Sequence, residues 1–289
     1  MRKVRLTVII CVSFVVLAAG ITLAQKNAGD AMLKLLETAY APPEPLLPVS
    51  LKKEAAYQEG GNTQVGIVDF VENEAYVIHA DKPDVAYKAE KTKPVSVDDT
   101  LVCDEGSRLT VLLKDQSQIV MAPYSKIVLA KVDYDPDSKA RDTVVKMGAG
   151  AARFVVAKLN ATKEDFNVVT PSATCGVRGS DFVVALVPED VIKKVKLSLL
   201  DDLFSPRSAL AQIIDTQQNL GTLTLAGPGT TLHVSNPFGS VILTSNTVTV
   251  THLNLPPSPA VSVTPSYATG LLGHVGPHTS NMSMPSVFE

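Results

Sequence analysis

Between Val65 and Val187 the chain is a succession of short β-favouring runs, closely and evenly spaced, each closed by turn-forming residues. The clearest runs are Gly66–Phe70, Ala75–His79, Leu109–Leu113, Ile119–Ala122, Ile127–Val132, Val144–Met147, Arg153–Ala157, Asn167–Val169 and Phe182–Val187. Between them lie Asp115-Gln116-Ser117, Pro123-Tyr124-Ser125, Asp135-Pro136-Asp137 and Gly148-Ala149-Gly150. Strands at this spacing predict an all-β domain, a short-stranded roll or solenoid with a β-sandwich as the alternative, rather than βαβ units. With no Trp and few aromatics, its core must be built from Val, Leu and Ile.

The flanks divide the rest of the chain. Arg2, Lys3 and Arg5 precede an uncharged run from Leu6 to Ala24, with Thr22 and Ala24 as small residues at its exit. Basic head, apolar middle and small-residue exit predict a secretory signal peptide over residues 1–24. An uncleaved inner-membrane anchor facing the periplasm is the alternative, since the run approaches the ~20 residues that span a bilayer. The expected location is therefore periplasmic or secreted, with membrane contact only through this segment. Its removal takes three of 26 basic residues and no acid, leaving 23 against 29 and a formal charge of −6. That balance argues against nucleic acid as a partner, because phosphates attract a basic face.

Residues 25–64 read as a lead-in: a short helix over Ala28–Tyr40, then a linker that Pro42, Pro43, Pro45 and Pro48 hold extended. Residues 188–220 read as a helical insertion, with Ser205-Pro206 at a helix start and Gly221 at its exit. Residues 221–265 return to β runs and extend the domain. The tail, residues 266–289, rich in Gly, Ser and Pro, is expected to be disordered.

Phe166 to Val184 is the most informative stretch: Thr170-Pro171 breaks one β run, and Gly176-Val177-Arg178-Gly179-Ser180-Asp181-Phe182 joins it to the next. This pattern resembles the signature of the FecR family, a bacterial extracytoplasmic domain whose usual motif runs Thr-Pro, small residues, Val-Arg-Gly-Thr, an acid and Phe. The resemblance extends upstream through Val97-Asp98-Asp99-Thr100-Leu101, Glu105-Gly106-Ser107-Arg108-Leu109 and Leu113-Lys114-Asp115-Gln116-Ser117. Two positions depart from the pattern. Asp98 replaces a Gly, and Gln116 stands where Gly favours a tight hairpin, so that turn is expected to be less regular. The resemblance implies a non-enzymatic interaction or signal-sensing module in the cell envelope, binding an envelope protein or cell-wall component. In the best-known branch a cytoplasmic segment of some tens of residues controls a sigma factor; here about five residues precede the apolar run. A self-associating envelope or secreted scaffold is the alternative reading, and an exported hydrolase a weaker one.

The motif residues are expected to be structural, with Arg178 pairing Asp181 across the Gly179 turn to hold two strands in register. The competing role for Arg178 is an exposed anchor for a partner's carboxylate. Cys103 and Cys175 could bridge, closing a loop of about 70 residues and contributing roughly 4 kcal/mol, or remain buried thiols. Asp133, Asp135, Asp137 and Asp142 cluster in one loop, but Ser138 and Val144 stand where a calcium loop needs Gly and Glu. His274 and His278 are spaced like half a zinc site without the other half. No Gly-x-Ser-x-Gly elbow or phosphate loop occurs. The sequence thus points to no catalytic residue, no cofactor and no metal.

Overall fold

The computed structural model describes residues 45–188 and 220–275, where the short apolar runs become strands of two facing sheets. The first half comprises β1 (Lys52–Glu54), β2 (Gln64–Glu72), β3 (Ala75–Ile78), β4 (Val85–Lys88), β5 (Pro94–Ser96), β6 (Thr100–Cys103), β7 (Arg108–Leu113), β8 (Gln118–Met121), β9 (Ser125–Tyr134) and β10 (Arg141–Ala149). There follow β11 (Ala151–Val156), β12 (Glu164–Val169), β13 (Thr174–Val177), β14 (Ser180–Pro188), β15 (Leu220–Ala226), β16 (Leu232–Asn236), β17 (Gly239–Leu243), β18 (Thr247–Thr251), β19 (Val261–Ser262) and a helix, α1 (Pro265–His274).

One sheet runs β1-β4-β3-β6-β9-β10-β12-β13-β16-β17, the other β19-β18-β15-β14-β11-β8-β7-β2-β5. In both, spatial order nearly follows chain order. The chain winds from one sheet to the other and back while advancing along one axis, the roll-like architecture its spacing predicts. Such a winding lets each new turn of chain bury its apolar face on the turn before. Most neighbours are antiparallel; β12 lies parallel to β10 because β11 crosses to the opposite sheet between them.

Period-two alternation places the core. Val145 and Met147 of β10, Phe166 and Val168 of β12, Phe154 and Val156 of β11, and Phe182, Val184 and Leu186 of β14 all point between the sheets. The three aromatic side chains meet there: Phe154 stacks on Phe182 at 5.2 Å and meets Phe166 edge-on at 6.2 Å.

At the C-terminal end the assignment of faces inverts. Leu223, Leu225, Val248 and Val250 point away from the inter-sheet core and pack with Ala268, Leu271 and Leu272 of α1. Thr222 and Thr224 take the inner positions, where Thr222 hydrogen-bonds Thr170 and Ser172 (2.6 Å each) and Thr224 contacts Cys175 at 3.3 Å. β18 is consequently buried along its whole length.

Three expectations are corrected here. The tail does not begin at Ser266, because α1 is held by the outward Leu and Val residues of β15 and β18. The stretch from residue 45 is not an extended linker: Leu47 is buried with Tyr76, Ala86 and Val102, and β1 pairs in parallel with β4. The glycine motif does not close a hairpin, because β13 and β14 belong to different sheets. The expected helix over Ala28–Tyr40, the helical insertion, the signal segment and the end of the tail lie outside the described residues. Among the described residues, no helix is long and apolar enough to cross a membrane.

Candidate functional site

The motif from Thr170 to Phe182 forms a turn and then a corner between sheets. Thr170 closes the β12–β13 turn: its backbone N–H donates to the Ala173 carbonyl (2.8 Å), and its hydroxyl accepts from the Ala173 N–H (2.9 Å). Pro171 sits exposed at the tip, where its missing N–H costs nothing. Gly176 lies within β13 opposite Asn167. After the buried Val177 the chain turns through Arg178 and Gly179 into the other sheet. Gly179 has φ 136°, and a Cβ there would lie 2.8 Å from the Cβ of Lys158, so only Gly fits the corner. Ser180 donates to the Thr231 carbonyl at 3.2 Å, and Phe182 enters the core.

Asp181 does not pair with Arg178. Its carboxylate takes a two-pronged bond from Arg153 of the neighbouring strand, Nε at 2.8 Å and Nη2 at 2.7 Å. Arg153 also donates to the Leu272 carbonyl at 3.0 Å, satisfying an open carbonyl near the end of α1. Arg178 is exposed, and no ion pair joins it to a described residue. The expected register clamp is therefore replaced by Arg153–Asp181, because Arg178 lies exposed in the corner itself while Asp181 lies in β14, which pairs with the strand of Arg153.

The upstream motif builds a second junction. The Asp115 carboxylate accepts the Ser117 backbone N–H (2.9 Å), the Ser117 hydroxyl (2.8 Å) and Nη1 of Arg141 (2.8 Å). Arg141, from the other sheet, is fully buried; it also donates to the Ala157 (2.9 Å) and Glu164 (3.3 Å) carbonyls and lies over Phe166. The turn itself is tight, contrary to expectation: Gln116 donates its N–H to Leu113 at 3.0 Å while holding φ 67°. Asp98, the other departure, likewise has φ 65°. Both positions keep the left-handed backbone that Gly adopts freely, at a cost of about 1–2 kcal/mol for a side chain. Gln116→Gly is thus expected to stabilise the domain by about 1 kcal/mol after the entropy lost by Gly. A rise of about 2–4 °C in Tm would register it, and an unchanged or lower Tm would refute it.

A third junction fastens the N-terminal stretch. His79 donates from Nδ1 to Asp99 (2.9 Å) and from Nε2 to the Gln58 carbonyl (2.7 Å). The other Asp99 oxygen accepts the Ser96 N–H at 2.7 Å. Since both ring nitrogens face acceptors, His79 carries two protons. Burial opposes that charge, but the Asp99 hydrogen bond and charge, with the Gln58 carbonyl, outweigh it and raise the His79 pKa. Tyr57 and Tyr87 pack around the ring, and the Tyr57 hydroxyl donates to the Pro94 carbonyl. The run Ala75–His79 gave no sign of this role beyond a lone His in a strand.

The remaining candidates are dispersed. Cys103 and Cys175 are free and buried, in β6 and β13. Four strand spacings separate them, about 19 Å, where a disulfide tolerates at most about 7 Å between Cα atoms; the bridge is excluded. Burial pushes the Cys103 thiol up to about 12 and the Cys175 thiol up to about 11, far from the reactive thiolate. Asp142 accepts from Lys131 (2.7 Å) and Lys163, and Asp135 is turned onto Ser138 and the Asp137 N–H. An open cleft of about 430 Å³ lies beside them, rimmed by Lys114, Lys131, Asp133, Arg141, Asp142 and Lys163. His233 is exposed and His252 buried, on separate strand ends; His278 lies outside the described residues.

The family model described as "FecR protein" matches residues 99–198. Two crystal structures of a "putative anti-sigma factor" from Parabacteroides distasonis ATCC 8503, at 1.65 and 2.50 Å resolution, align with 16% and 17% identity and TM-scores of 0.40. Each alignment covers 60% of this chain, which spans 64% and 63% of those chains. No curated protein matches.

Proposed function

Residues 99–198 carry a FecR domain, and from that premise we propose that the chain is a non-enzymatic interaction module that senses or docks another component of the bacterial cell envelope. Arg178 carries this reading. The motif's own acid is occupied by Arg153, so Arg178 projects from the inter-sheet corner with its guanidinium uncommitted to any described acid. Lys158 lies against Gly179 at the same corner, also exposed. Two cations on a rigid corner suit a carboxylate of a partner, which a guanidinium binds through two parallel hydrogen bonds. The rest of the motif is absorbed by packing, so the corner is held in place before a partner arrives. The basic head, apolar run and small-residue exit of residues 1–24 support export, which would put this corner in the periplasm or outside the cell.

The immobilised chain should capture a specific component from envelope extract. Arg178→Ala should lose that component with Tm unchanged, and Arg178→Lys should recover only part of the capture because an ammonium cannot make the paired bonds. Equal capture by wild type and Arg178→Ala would rule out this surface.

A further inference from the structure

The four lateral edges of the two sheets are protected very unequally. β1 carries Lys52, Lys53 and Glu54; β5 is three residues long and begins at Pro94; β19 is two residues long between Pro259 and Pro265. Charge, proline and brevity are the devices that keep an edge from accepting a foreign strand. β17, Gly-Ser-Val-Ile-Leu, has none of them, and among the described strands it pairs with β16 alone.

Its free groups follow from the register. Asn236 faces Gly239 across a two-residue turn, which makes that pair hydrogen-bonded, and bonding then alternates along the hairpin. Val241 and Leu243 therefore bond inward to β16, whereas Ser240 and Ile242 direct N–H and C=O away from the sheet. Ile242 is 62% exposed, and Phe238 at the turn and Leu255 beside it are 53% and 50% exposed. The surroundings are also uncharged: from Thr216 to Phe288 the sequence contains no Asp, Glu, Lys or Arg.

We propose that two copies of this chain join through β17, antiparallel about a two-fold axis at Val241, to form one continuous sheet across the pair. That register sets Ser240 opposite Ile242 of the second copy, and Ile242 opposite its Ser240. The outward groups of both residues are then satisfied in mutual pairs, with neither strand slipping. A charged strand would lose hydration here without gaining an ion pair, whereas β17 itself is the uncharged strand that matches. The copies meet at their charge-free ends, so the acidic remainder of each chain is held apart, which limits repulsion. Because the contact is isologous, it consumes both edges and stops at two copies.

Sedimentation velocity of the purified full chain over a wide concentration range tests this. Wild type should show a reversible monomer–dimer equilibrium and no larger species. Ser240→Lys, at an exposed position, would place an ammonium at the seam and should abolish the dimer with Tm unchanged. Ile242→Pro should do the same by removing an outward N–H that the hairpin does not use. If the proline variant fails to fold, Ser240→Lys decides alone. A wild-type chain that stays monomeric, an open series of oligomers, or a dimer that survives Ser240→Lys would overturn the proposal. Arg178→Ala serves as the control, and should dimerise like wild type whether or not it captures a partner.

Discussion

Asp115→Ala is expected to cost about 3–5 kcal/mol, the effect of abandoning one member of a buried ion pair. The loss should be large because three donors converge on that carboxylate: the Ser117 N–H, the Ser117 hydroxyl and the Arg141 guanidinium. Without it, a fully buried cation keeps two carbonyls but no counter-charge. The hairpin turn loses the acceptor that holds Ser117, and with it the hydroxyl that accepts the Ala157 N–H from the next strand at 3.1 Å. The two sheets are thus coupled through one carboxylate. Arg141→Met should cost a similar amount, since Asp115 would then be buried as an uncompensated anion. Combined with Asp115→Ala, it should cost clearly less than the sum of the two single losses. Urea unfolding of the four proteins gives the coupling energy directly. Additive losses would mean that the pair does not act as a unit.

That junction also shows how far the sequence could be read. The Asp-Gln-Ser turn was legible because its residue types bond their own backbone over two positions, a local property. Its partner was not: Arg141 is separated from Asp115 by the whole of β8 and β9, and an Arg at a strand start reads as solvated. The same division holds at the glycine motif. Gly179 signals a special backbone angle, but whether the chain then returns beside β13 or crosses to the other sheet depends on where β11 and β15 lie. The all-β character came through because alternation is imprinted on β9, β10, β11 and β12. α1 was hidden by its own composition, since Gly270, Gly273 and Pro265 suggest no stable helix. The trace it did leave is on β15 and β18, whose Leu and Val residues need a cover that the second sheet does not provide. The strand β4 was lost among turn residues, and β5 was too short to stand out.

Raising the pH should loosen the N-terminal stretch, because the His79 contribution depends on both of its protons. The folded-state pKa of His79 is raised, so its stabilisation is complete below the unfolded value of about 6.5 and is lost as pH climbs through the higher native value. Each unit between the two values is worth about 1.4 kcal/mol. The groups around the ring fix this direction: Asp99 and Asp81 favour the cation, Lys82 bonds the Glu59 carbonyl, and burial raises the Tyr57 phenol and keeps it neutral. Once a proton leaves, either Asp99 or the Gln58 carbonyl faces a lone pair, and the stretch carrying Tyr57 and β1 loses its fastening. Hydrogen exchange at β4, whose partners among the described strands are β1 and β3, should therefore quicken as pH climbs through that native value, beyond the intrinsic rise. Asp99→Asn should lower stability at every pH and remove most of the slope above about 6.5, because the native pKa then falls back toward the ordinary value. Retention of the full slope in Asp99→Asn, or in His79→Gln, would assign the pH dependence to another group.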